Sequence, residues 1–112
     1  MPVVSAAGRF APPPAGEAGR FDEHLRTDDL SLGTYSLPAG AVDDQSPHTE
    51  AEIYVVTAGR AHFVDADGRV PVGPGDTVFV AAGAEHRFVD ITEDLVLVVV
   101  FAPPYRTRAP RD

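Results

Sequence analysis

Apolar and polar positions alternate along this chain in short bursts, and each burst ends at Gly or Pro. From Leu30 onward, "LSLGTYSL" stops at "PAG", "EIYVVTA" at Gly59 and "AHFVD" at "ADG". "RVPV" then stops at "GPGD", "TVFVA" at "AGAE", "HRFVDI" at "TED" and "LVLVVVFA" at "PP". Runs this short, rich in Val, Phe and Tyr and closely spaced, predict β-strands joined by tight turns. The fold class is therefore all-β, a small antiparallel sandwich or barrel. The one stretch with helix-compatible spacing is "GRFDEHLRTDD", residues 19–29.

Two segments break the pattern. "LVLVVVF" is apolar at every position, so a strand there needs cover on both faces. Residues 1–20 are rich in Ala, Pro and Gly and have no period, which predicts a flexible arm ahead of a single domain over 21–112. The cover is the arm, a second sheet layer or a partner chain. A homodimer is the favoured expectation, because Pro-rich arms seldom bury enough surface alone.

Composition narrows the chemistry. A chain of 112 residues with 44% hydrophobic positions forms one globular domain. It has no cysteine, so disulfides, thiolate zinc sites and cysteine nucleophiles are excluded, and any metal must be held by imidazole and carboxylate. The net charge of −8, with no basic cluster, argues against a nucleic-acid partner. No apolar stretch is long enough to span a membrane and the N-terminus has no secretory h-region, so a cytoplasmic location is expected.

The candidate chemistry lies in "DDQSPHTEAEIYVVTAG", residues 43–59. Ser46, His48, Glu50, Glu52 and Tyr54 alternate, so they share a face wherever the strand is regular, although Pro47 predicts a bend. His86 opens a later strand in which Phe88 and Asp90 share its parity. One His and one Glu from the first segment, with one His from the second, make a two-His, one-carboxylate set. Such a set suits Fe, Mn, Ni or Zn as the divalent ion. His62, between Ala61 and Phe63, is expected on the outer face, and His24 on the surface ahead of the barrel.

These two segments resemble the cupin family. The family's first motif is matched by Gly40, His48, Glu52 and Gly59 at the family's spacing, with Ser46 where a metal-binding His usually stands. The second is matched by Gly75, Gly83 and His86, with Ala81 and Asp90 replacing the usual Pro and Asn. The resemblance implies a jelly-roll barrel and a divalent metal held by His48, Glu52 and His86. Ser46, Gln45 or Glu50 would sit at or near the fourth position, with Tyr54 and Phe88 beside the metal.

It also implies a metal-dependent enzyme acting on a small-molecule substrate, with dioxygenase-type chemistry favoured over isomerase, cyclase or lyase. A non-catalytic ligand-binding or sensing module is the alternative. A metal-free polar cluster is the remaining one, and it must bear the cost of burying three ionisable groups without a cation.

Overall fold

The computed structural model describes residues 1–44 and 47–107. Its strands are β1 (Arg20–Arg26), β2 (Ser31–Leu37), β3 (Ala51–Asp65), β4 (Gly68–Val72), β5 (Thr77–Val80) and β6 (His86–Ala102). All pair antiparallel, in the order β1-β2-β6-β3-β4, with β5 also on β3. The expected all-β fold is what the chain adopts. Among the described residues no helix is long and apolar enough to cross a membrane.

Strands β3 and β6 each join two runs that the turn signals had separated. They pair from Ala51↔Ala102 to Asp65↔His86, with register shifts between Val56 and His62. In β3 the buried positions are Glu52, Tyr54 and Val56, then Ala61 and Phe63, so the inward parity changes partway. Gly59 lies at that change, with φ +88, and a Cβ there would fall 2.3 Å from the Asp94 carbonyl oxygen. No side chain fits. In β6 the parity changes at Asp90, whose φ of 50 lies in the left-handed region that Asp and Asn tolerate best among non-glycine residues. Bulges of this kind bend and twist a strand, so one long strand wraps around the core instead of ending.

The parity change corrects one expectation. Asp90 does not share a face with His86 and Phe88. Its carboxylate is exposed and pairs with Arg69, and it lies 3.5 Å from His62 Nδ1.

A second correction concerns residues 19–29: Arg20–Arg26 within them form strand β1, and no helix forms there. Phe21 and Leu25 stand four apart, a spacing that serves a helical face as well as a strand. The open edge of β2 decides. Gly33 of β2 leaves room there for the Phe21 ring, since a Cβ on Gly33 would lie 2.5 Å from it.

The inner face of the sheet packs Leu37, Tyr54, Val56, Phe63, Phe88, Leu95, Leu97, Val99 and Phe101. Each such side chain contributes about 1.5–3 kcal/mol on burial. Over the outer face lies part of the N-terminal arm. Gly8 N–H donates to Thr34 Oγ1 (3.0 Å), Thr57 Oγ1 donates to the Gly8 carbonyl (3.0 Å), and Ala11 N–H donates to Ser36 Oγ (3.2 Å). The arm therefore covers Val98. Beyond it, Leu32, Val100, Ile53 and Phe79 stand in register across four strands, and Phe79 is 65% exposed.

Candidate metal centre

His48 lies just before β3, Glu52 is the second residue of β3, and His86 opens β6. The Gly83 N–H donates to the His48 carbonyl at 2.6 Å, tying the loop that carries His48 to the turn that delivers His86. The three side chains each direct one ligand atom into a common space, all within 4.8 Å of one another. His86 Nε2 is 2.9 Å and His48 Nε2 is 3.8 Å from Glu52 Oε1. The Glu52 carboxylate is wholly buried.

The hydrogen bonds assign the protons. His86 Nδ1 lies 2.9 Å from the Ala84 carbonyl, which can only accept, so Nδ1 carries the hydrogen. In the neutral ring Nε2 then accepts from the Tyr54 hydroxyl at 3.0 Å and also lies beside the Glu52 carboxylate. Two acceptors thus face each other at 2.9 Å. Neither Glu52 oxygen has an aligned hydrogen-bond donor among the described residues. Such a pair is completed by a proton or a cation.

The pKa directions agree. For His86, burial disfavours the charged form, but the contact with Glu52 and the Ala84 carbonyl outweigh it, and the net shift is upward. For His48, burial prevails over the pull of Glu52 and the shift is downward, leaving a neutral imidazole ready to coordinate. An ion about 2.1 Å from each donor sets neighbouring ligand atoms about 3 Å apart, so the cluster needs little adjustment to hold one.

A cavity of about 110 Å³ opens beside the cluster. His48, Glu52 and Val99 line it together with five rings, those of Phe21, Tyr35, Tyr54, Phe101 and Tyr105. The Tyr35 hydroxyl donates to Asp43 Oδ1 (2.9 Å), and Asp43 Oδ2 accepts the Phe88 N–H (2.9 Å). Burial, reinforced by Asp43, pushes the Tyr35 hydroxyl pKa upward.

Tyr105 belongs to a strap that follows β6 and crosses the mouth. Its ring stacks on Phe101 (4.7 Å between centroids) and meets His48 edge-on (5.3 Å). The strap is fastened by Tyr105 N–H to Ser31 Oγ (2.8 Å), Arg26 Nη1 to the Tyr105 carbonyl (3.0 Å) and Arg106 N–H to Glu50 Oε1 (2.9 Å).

The structure thus brings together His48, Glu52 and His86 and places Tyr54 on the cavity wall. Glu50 is turned away, with its carboxylate fastening the strap and accepting the Thr49 hydroxyl. Phe88 packs behind Tyr54 in the core (5.0 Å between centroids). Gln45 and Ser46 lie outside the described residues. His62 faces outward beside Asp90, and His24 is half-buried, 2.7 Å from Thr34 Oγ1. Sequence reasoning missed Asp43, Phe21, Tyr35, Phe101 and Tyr105. A buried Asp inside an acidic loop and an aromatic beyond the last strand leave no periodic signal.

The chain belongs to the cupin family: the cupin-domain profile matches residues 33–101, more than half its length. An uncharacterized protein of Streptomyces coelicolor is 41% identical over 90 residues, covering 80% of this chain and 86% of that protein. Dimethylsulfoniopropionate lyase DddQ of Ruegeria pomeroyi is 37% identical over 73 residues, 63% of this chain. This chain spans only about a third of that lyase's length, 34%. The lyase's crystal structure superposes with a TM-score of 0.66 at 26% identity, over 74% of this chain and 47% of that one. KdgF from Halomonas sp. superposes with a TM-score of 0.71 at 20% identity, over 81% and 85% of the two chains, a likeness of fold alone.

Proposed function

We propose that this protein is a metal-dependent cupin enzyme that holds a divalent transition ion on His48, Glu52 and His86 and acts on a small organic substrate in the adjoining aromatic cavity. The observation that supports this reading is the wholly buried Glu52 carboxylate, without an aligned donor among the described residues and 2.9 Å from His86 Nε2. Leaving those groups uncompensated would cost several kcal/mol, and a cation removes the cost.

A divalent ion at this point supplies Lewis acidity toward a substrate oxygen. The chain's own residues do the rest. The Ala84 carbonyl fixes the His86 tautomer and ring direction. The Tyr54 hydroxyl, 3.0 Å from His86 Nε2, would hold that ring beside the ion. The five aromatic rings exclude water from the reacting end.

Elemental analysis tests the site. His48→Ala, Glu52→Ala and His86→Ala should each strip the metal, losing more than the roughly 10–100-fold in affinity that removal of a merely supporting hydrogen bond costs. His62→Ala and His24→Ala should retain it. Full metal content in all three ligand variants would place the site elsewhere.

As for the reaction, lyase chemistry has a support that dioxygenase chemistry lacks: the 37% identity over 73 residues to dimethylsulfoniopropionate lyase DddQ. A lyase turns over unchanged without dioxygen, whereas a dioxygenase stops, so anaerobic assay with a turned-over substrate separates them.

A further inference from the structure

Residues paired across a sheet share a face, and the cavity wall is built from such pairs. Glu52 stands opposite Phe101, and Tyr54 opposite Val99, where β3 meets β6. The next positions in these two rows, on β2, are Ser31 and Gly33. Here the wall runs short of side chain. Each of the two small residues instead seats a ring from elsewhere in the chain. A Cβ on Gly33 would lie 2.5 Å from the Phe21 ring, so that ring rests directly on the glycine. Ser31 Oγ accepts the Tyr105 N–H at 2.8 Å, which sets the strap over the other position. The two rings meet edge-on, 5.6 Å between centroids.

The ring contacts order the cavity from the ligand cluster outward. Phe101 and Tyr105 lie 5.0 and 5.3 Å from His48, centroid to centroid, and 6.2 and 5.6 Å from Phe21. They flank a passage that starts at the cluster, runs past Val99 and stops at Phe21. The stop belongs to β1, three strands from the β3 carboxylate in the order β1-β2-β6-β3. Phe21, Val99 and Phe101 make that far part apolar. A cavity of about 150 Å³ holds benzene, so the present volume of about 110 Å³ admits roughly five heavy atoms.

We propose that Phe21, seated on Gly33, is the specificity-determining residue of this cavity: it restricts the substrate to one with a short apolar tail, lodged between Phe101 and Tyr105, and an oxygen-bearing end at the metal. This rests on the metal-enzyme reading for which end meets the ion, and not for the length of the tail.

The chain carries its own reporter. All three of its tyrosines, Tyr35, Tyr54 and Tyr105, line this cavity and it has no tryptophan, so tyrosine fluorescence reads the site. The chelator-treated protein is titrated with straight-chain alcohols from ethanol to 1-octanol. Affinity should rise about fourfold per methylene buried, up to about 1-butanol, and then level off. Phe21→Ala should carry the rise on to about 1-hexanol or beyond, because the space of the ring becomes tail space. Phe21→Leu keeps an apolar side chain against Gly33 and should move the break by about one carbon, so it carries the test even where the alanine variant fails to fold. Val70→Ala, on the exposed part of β4, should leave the break where it is.

A rise that continues to 1-octanol in the wild type, a break that stays put in the folded Phe21 variants, or one that moves equally in Val70→Ala overturns the proposal. The carboxylates from acetate to hexanoate, titrated into zinc-loaded and chelator-treated protein, separate the two readings. Binding no tighter with zinc overturns only the metal-enzyme reading. Zinc-dependent binding with a break that ignores Phe21 overturns only the role of Phe21.

Discussion

Tyr35 and Asp43 form a contact whose consequences can be measured at the level of one proton. Burial first, and Asp43 second, raise the Tyr35 pKa in the folded protein. The folded state therefore keeps a proton that the unfolded chain releases near the ordinary tyrosine value of about 10. The stabilisation is complete below that pH and is lost as pH rises above it, because the unfolded state then binds fewer protons than the native one. Urea unfolding between pH 8 and 11 should show stability falling more steeply in the wild type than in Tyr35→Phe. At neutral pH the variant should cost about 1 kcal/mol for the hydrogen bond lost to Asp43. Parallel alkaline losses in the two proteins would contradict this account. The sequence marks Asp43 only as one acid among several, since burial of a loop carboxylate follows from where its partners Tyr35 and Phe88 are placed.

At the scale of elements, the bends in β3 and β6 decide the architecture. Gly59 has positive φ and no room for a Cβ, since the Asp94 carbonyl oxygen and Leu95 Cα would lie 2.3 and 2.6 Å from it. Gly59→Ala should therefore destabilise by about 3 kcal/mol or more, combining backbone strain with overpacking. Denaturant unfolding measures it, and a loss below about 1 kcal/mol would show that the strand accommodates the methyl by shifting. Gly59 was legible as a stop signal but not as a bend within one continuous strand. The reason is physical: glycine at positive φ serves a turn and a bulge equally well.

At the scale of the whole molecule, two surfaces cover or fail to cover the apolar outer face. Removing residues 1–18 deletes the Gly8 and Ala11 contacts and uncovers Val98. Stability should drop by about 2–3 kcal/mol, at roughly 1 kcal/mol per hydrogen bond, and solubility should fall with it. The row of Leu32, Val100, Ile53 and Phe79 lies beyond the arm and carries no charge on a chain of net −8. A second copy can approach there with the least repulsion. Sedimentation should show a dimer for the wild type and a monomer for Phe79→Glu. A wild-type monomer at high micromolar concentration would end the expectation of self-association.

Local pattern alone determined that this chain is all-β, and its motif spacings, through the resemblance to the cupin family, singled out His48, Glu52 and His86 as the candidate ligands. Those features depend on near neighbours in sequence: the two-residue period, the turn residues and the motif spacings. The meeting of the three side chains is another matter. His86 pairs with Asp65, which is 13 residues from Glu52 along the same strand. Fully extended, that separation is roughly 43 Å. Yet the imidazole and the carboxylate lie 2.9 Å apart, because β3 bends at Gly59 and β6 at Asp90 and the sheet curls around its core. The same curvature brings Phe21, Tyr35 and the strap residue Tyr105 to one cavity from three distant parts of the chain. Only the tertiary structure decided that, since burial of a shared apolar face is a property of the closed sheet and not of any strand within it.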